Sequence, residues 1–191
     1  RFIDRSNHLD DIIFVLHHSL VQAATCQCDD ANLIELYLLR PNMQGRILVT
    51  GFKPFGGHLS NISEEVAKSL HGEIVRGRVI ESLVLSVDES GSREVSNLLP
   101  DNKYDAIMHL GLAEKADYPR IEMRAKDILD FRIPDNSGRQ VSSTKISGEG
   151  DLYSTINPED WDIVKMIDSP VISHDAGEYL CNETLYRTLL S

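Results

Sequence analysis

Three short stretches of this chain carry residue types that can do chemistry, each placed where a strand should end. In Ser173-His174-Asp175-Ala176-Gly177-Glu178-Tyr179-Leu180-Cys181-Asn182 a strand gives way to a tight Ala and Gly turn, and a cysteine enters the first turns of a helix. The macrodipole and free N–H groups of a helix N-terminus stabilise a thiolate, so Cys181 is a candidate nucleophile. A buried structural cysteine is the competing reading. The second stretch is Thr50-Gly51-Phe52-Lys53-Pro54-Phe55-Gly56-Gly57, a strand followed by a glycine-rich turn. Its spacing is not that of a dinucleotide-binding loop. The glycines permit a tight turn, and Phe52 and Phe55 can offer ring faces to a flat apolar ligand, although both also fit plain core packing. The third is Ile121-Glu122-Met123-Arg124. Glu122 is either a solvated face of a strand or the group that orients a nearby base.

Positioning these residues takes alternating strands and helices, the pattern of an α/β layered fold. The pattern predicts strands at Arg46 to Gly51, Val79 to Val87, Tyr104 to Leu112, Ile121 to Phe131 and Pro170 to His174. Helices are expected at Asn61 to His71, Glu89 to Leu99, Asn157 to Ile167 and Gly177 to Leu190, the second stopped by Pro100 and the third opened by Pro158. Ser137 to Ser154, rich in Ser, Gly and Thr, reads as a surface loop with a short hairpin. Before the boundary at Pro41-Asn42-Met43-Gln44-Gly45, the apolar residues Leu9, Ile12, Ile13, Leu16 and Leu20 recur at helical spacing. Residues 1–42 are thus read as a helical N-terminal extension, and residues 43–191 as the main α/β domain.

The bulk numbers narrow the partners. A chain of 191 residues, 41% hydrophobic and 26% charged, suits one globular domain. Its net charge of −11 argues against nucleic acid and anionic membranes, both of which need a cationic surface. The apolar run from Ile12 to Thr25 is preceded by Asp10 and Asp11, interrupted by His17 and His18, and too short to span a bilayer. Cys26, Cys28 and Cys181 offer no zinc-site spacing, and a reducing cytoplasm is the simplest setting for them.

Taken together, the blocks resemble the pyroglutamyl peptidase I (pyrrolidone-carboxylate peptidase) family of cysteine peptidases. The first block is Ile47-Leu48-Val49-Thr50-Gly51-Phe52 with Pro54-Phe55-Gly56-Gly57 and Asn61. The second runs from His109 and Gly111-Leu112-Ala113 through Ile121-Glu122 to Asp130 and Arg132-Ile133-Pro134-Asp135-Asn136. The third is Ala176-Gly177, Tyr179-Leu180-Cys181-Asn182 and Tyr186. The resemblance implies a three-layer α/β/α fold with a mixed, mostly parallel twisted sheet, and hydrolysis of N-terminal pyroglutamate from peptides by a Cys-His-Glu mechanism. It implies Cys181 as nucleophile, Glu122 as the acidic member, and Phe52, Phe55 and Ile133 around the pyroglutamyl ring. Asn61 is implied as a pocket or loop-ordering residue. No metal or other cofactor is implied, and the partners are pyroglutamyl peptides and, in a homo-oligomer, other copies of the chain.

The sequence departs from the family beside the carboxylate. Met123 stands where the family has Arg, Asp127 where it has Asn, and Lys115-Ala116 where it has Gly-Arg. The family's histidine lies well downstream of its cysteine, and none of His8, His17, His18, His58, His71, His109 or His174 takes that position. The expectation is a domain whose C-terminal part is missing, with a catalytically inactive homologue or fragment acting as a binding protein as the alternative.

Overall fold

The computed structural model describes residues 12–17 by their backbone, and residues 45–113, 119–157 and 171–191. A mixed sheet of seven strands organises these residues, in the order β3-β4-β2-β5-β1-β6-β9. The strands are β1 (Ile12–His17), β2 (Gly45–Phe52), β3 (Ile74–Val75), β4 (Arg78–Leu85), β5 (Ala106–Leu112), β6 (Arg120–Glu122) and β9 (Val171–Ser173). A separate two-stranded ladder joins β7 (Arg124–Ala125) to β8 (Leu152–Tyr153). Strand β2 runs parallel to β4 and β5, and β6 runs parallel to β1 and β9. Only the β3/β4 and β5/β1 pairs of the large sheet are antiparallel.

Alternation along the strands divides the interior into two apolar layers. On one face Val49, Ile80 and Leu110 meet Ala67 of helix α1 (Ile62–Leu70), with Ile62, Val66 and Leu70 around them. On the other, Leu48, Phe52, Leu85 and Ile107 meet Val95 of α2 (Glu89–Leu98) and Leu180 of α3 (Leu180–Leu190). The result is the expected α/β/α sandwich. Helix α1 approaches the sheet so closely that a Cβ on Gly51 would lie 2.1 Å from the Ser63 carbonyl oxygen, which accounts for glycine at the end of β2.

Two sequence expectations change. The helix expected across Leu9 to Val21 is instead strand β1 over Ile12–His17. Its backbone pairs with β5 on one side and β6 on the other. The run Ile-Ile-Phe-Val is β-branched and aromatic, and a gap between two strands offers ladder bonds on both sides, so tertiary pairing overrides the helical spacing. The strand expected from Ile121 to Phe131 breaks after Glu122, and beyond Ala125 only an isolated bridge joins Leu129 to Thr144, with side-chain bonds holding the backbone between. The Asn182 carboxamide accepts from the Lys126 amide at 2.8 Å and donates to the Lys126 and Ile128 carbonyls at 2.9 and 3.1 Å. Cys26, Cys28, Lys115, Ala116 and the expected helix beyond Asn157 lie outside the described residues.

Candidate active site

Cys181 is the second residue of α3, and a turn through Gly177, at φ +77°, delivers the chain to the helix start. Tyr179 occupies the N-cap without a side-chain hydrogen bond to the first turn. The thiol is half-buried. It opens on a cavity of about 780 Å³ whose walls include Phe55, Ile133, Tyr179 and Glu122.

The electrostatics run against the simplest helix-terminus expectation. Burial pushes the Cys181 thiol up to about 11, the Glu122 charge adds to the rise, and a bond from the thiol's own backbone amide opposes it. Desolvation is the largest of these contributions. Glu122, at the end of β6, is 1% exposed. Burial raises its carboxyl pKa, while hydrogen bonds from the Ser173 hydroxyl and the Asp175 amide pull the other way. The Asp175 amide reaches Oε2 at 3.1 Å. The second oxygen, Oε1, is buried without a hydrogen-bond partner, which leaves one acceptor of the carboxylate uncommitted at the cavity.

The remaining residues named from sequence divide by location. Phe55 lines the cavity, its ring 5.9 Å from that of Tyr179. Phe52 does not: only 3% exposed, it packs in the core with Leu48, Leu85 and Leu180, because the alternation of β2 turns it inward. Ile133 also lines the cavity, beside Gly56, and is 43% exposed. Asn61 caps α1, accepting from the Ser63 amide at 3.1 Å and hydroxyl at 2.8 Å and donating to the Lys53 carbonyl at 3.3 Å. The Ser63 hydroxyl in turn accepts from the Phe52 amide at 3.0 Å. Asn61 thereby holds the loop that carries Phe55, and it is not among the cavity residues.

His109 bridges the sheet to α3, with Nδ1 2.8 Å from the Thr50 hydroxyl and Nε2 3.0 Å from the Thr188 hydroxyl. His58 lines the cavity beside Phe55, the ring centroids 6.0 Å apart. Sequence reasoning passed over Ser173, Lys126, Arg139 and Glu183. Lys126 lies at the cavity with its ammonium 2.7 Å from Asp175 and 3.2 Å from Glu178. The i,i+4 spacings Asp135/Arg139 and Glu183/Arg187 were the available signals for the others. Among the described residues no group of three or more His, Cys, Asp or Glu side chains could hold a metal ion. No helix there is long and apolar enough to cross a membrane.

Comparison with known proteins agrees with this geometry. A curated pyrrolidone-carboxylate peptidase of Thermococcus litoralis is 33% identical over 149 residues, 75% of this chain and 68% of its own length. The Pyrococcus furiosus pyrrolidone-carboxylate peptidase is 35% identical over 149 residues, covering 75% of this chain and 72% of its own. Among solved structures, the crystal structure of Pf-PCP(1-204)-C superimposes with a TM-score of 0.67 at 32% identity, over 76% of this chain and 70% of that one. A crystal structure of pyrrolidone carboxyl peptidase from Pyrococcus furiosus gives a TM-score of 0.59 at 28% identity, over 75% and 72%. The profile of the pyroglutamyl peptidase family matches residues 45–191, the whole of the chain from β2 onward. With the family profile matched over residues 45–191 and a cysteine and a buried carboxylate on one cavity, the chain belongs to the pyroglutamyl peptidase family of cysteine peptidases.

Proposed function

We propose that this protein hydrolyses the bond after an N-terminal pyroglutamyl residue, with Cys181 as nucleophile and Glu122 as the acidic member of a Cys-His-Glu site. The observation that carries the reading is the cavity shared by Cys181 and Glu122, walled by Phe55 and Ile133. A lactam ring has apolar faces and a polar edge, and this cavity offers apolar walls with a few polar groups. A charged α-amine would lose its hydration there.

In the proposed reaction the Cys181 sulfur attacks the pyroglutamyl carbonyl carbon, and the uncapped amides at the start of α3 face the developing oxyanion. The C–N bond then breaks, the peptide leaves as an amine carrying the proton taken from the thiol, and water cleaves the thioester. An imidazole is the proton carrier that the family resemblance implies, and the free Oε1 of Glu122 is the acceptor that would hold it. No histidine of this chain stands at the family's position for that ring. The substrates are peptides that begin with pyroglutamate; nucleic acid and membranes are not proposed as partners. The setting is a reducing cytoplasm and the assembly a homo-oligomer. Residues 1–42 are proposed as an extension added before the family domain.

One observation favours a second reading. A thiol held at about 11 is protonated near neutral pH, which suits a protein that binds pyroglutamyl termini without cleaving them. Release of a fluorogenic pyroglutamyl amide by the full chain and by Cys181→Ser separates the two. Hydrolysis that disappears in Cys181→Ser supports the peptidase, whereas binding of the amide without release supports the silent binder. Undiminished hydrolysis by Cys181→Ser ends the assignment of the nucleophile.

A further inference from the structure

Phe131 is anchored in the core, but the stretch 132–139 that follows it and forms the Ile133 wall of the cavity buries little apolar surface of its own. Ile133 is 43% exposed, and the residues on either side of it are exposed as well. Such a segment opens at small cost unless polar contacts tie it down. Two ties run to α3, the helix that carries Cys181. The Tyr179 hydroxyl donates to the Pro134 carbonyl at 3.2 Å, and its ring meets Phe131 edge-on with centroids 4.7 Å apart. Farther along, the Arg139 guanidinium spans two buried carboxylates, Nε to Asp135 Oδ2 at 3.0 Å and Nη2 to Glu183 Oε2 at 2.6 Å. The Asp135 and Glu183 side chains are fully buried, and Arg187 holds the other oxygen of Glu183 at 2.6 Å. The guanidinium also lies over the Phe131 ring, 5.0 Å from its centroid, so both ties converge on that ring. A third contact, Asn136 Nδ2 to the Pro54 carbonyl at 3.0 Å, joins the wall to the Phe55 loop.

None of these groups has a part in the bond-breaking chemistry. We propose that Arg139 and the Tyr179 hydroxyl are positioning residues that fix the Ile133 wall against the nucleophile helix and so set affinity for the pyroglutamyl ring. This rests on the proposed function. A guanidinium fork between two carboxylates fixes both distance and angle, which a single point charge does not. Dispersion contact with a small ring falls steeply when a wall recedes by a fraction of an ångström. The device therefore acts on substrate fit, through Ile133.

The test uses the full chain carrying Cys181→Ser, so that ligand is not consumed, with Tyr179→Phe or Arg139→Lys added. Tyr179→Phe is the mild change, and it keeps the test decisive if Arg139→Lys unfolds. Calorimetry measures binding of the dipeptide pyroglutamyl-alanine, and hydrogen exchange follows residues 131–139 and 181–190. The expected result is a Kd raised about twofold to tenfold, the range of one net hydrogen bond, with faster exchange in the wall and unchanged exchange in α3. An unchanged Kd alongside faster wall exchange overturns the proposal, as does faster exchange in α3 to the same degree, which marks a general loss of stability. Unchanged wall exchange overturns it as well. If the Cys181→Ser parent does not bind the dipeptide at millimolar concentration, the functional reading itself falls and takes the affinity role with it.

Discussion

At the scale of single residues, Cys181, the proposed nucleophile, sits where burial favours the protonated thiol. With the thiol at about 11, roughly one molecule in ten thousand carries a thiolate at pH 7. Alkylation of Cys181 by iodoacetamide, followed by peptide mass spectrometry, should therefore accelerate about tenfold per pH unit between pH 7 and 10. A plateau near pH 8 or 9 would mean that a cation stabilises the thiolate after all. The two phenylalanines, indistinguishable in sequence, part company in the fold. Phe55→Ala should raise KM or Kd for a pyroglutamyl ligand while leaving the melting temperature nearly unchanged. Phe52→Ala empties a core site and should destabilise by about 3–5 kcal/mol, measured by urea denaturation. Reversed outcomes would exchange the roles of the two rings.

At the scale of elements, the loop spanning residues 146–150 is organised by one carboxylate. Asp127 Oδ1 accepts from the amides of Ile146 and Ser147, and Oδ2 from those of Gly148 and Gly150, at 2.9 to 3.1 Å. Burial acts to raise the Asp127 pKa, but the four amides outweigh it and hold it below the ordinary carboxylate value. A depressed folded pKa contributes stability that is complete above the unfolded value near ~3.9 and is lost as pH falls through the folded one. Exchange protection of residues 145–151 should thus persist through mild acid and collapse only below about pH 3.9. Asp127→Asn would set an NH₂ group against two amide donors and should cost about 1–3 kcal/mol. A neutral effect on stability and on loop exchange would refute this account. Nothing in the loop's Ser, Gly and Thr composition announced such an arrangement, because the partners are backbone amides contributed from about twenty residues away. Helix α2 was legible through a local stop signal, Pro100, and the caps that the structure shows at Asn61 and Asp88 are likewise local in sequence. The Cys181 turn was legible for the same reason, whereas the Arg139 bridge and the inward turn of Phe52 depend on which elements finally meet.

At the scale of the whole molecule, the N-terminal strand is the largest departure from what the sequence leads one to expect. Strand β1 separates β5 from β6, with Val15 opposite His109 on one side and Glu122 on the other. A segment outside the matched family region therefore takes part in the sheet that presents Glu122, the proposed acidic member of the site. Val15→Pro removes a ladder donor in the middle of a paired strand and should cost about 3 kcal/mol or more, with exchange rising in β5 and β6 together. Removal of residues 1–42 should do the same and expose two strand edges, seen as self-association by light scattering. Unchanged melting and exchange after that truncation would show that the extension is dispensable.

The position of β1 also bears on how the chain comes into being. Ile12 pairs with Leu112, so the segment made early waits for partners about a hundred residues further on. At synthesis rates of about 5–20 residues per second, that is a delay of roughly 5–20 s before either neighbour exists. During this interval an apolar, β-prone segment is solvated and unpaired, a ready ligand for holding chaperones. The parallel pairing of β2 and β4 can close much sooner. Among the described strands the sheet is thus built from β2 and β4 outward, and β1, made before them, is inserted late, so that the environment of Glu122 is among the later features to be completed.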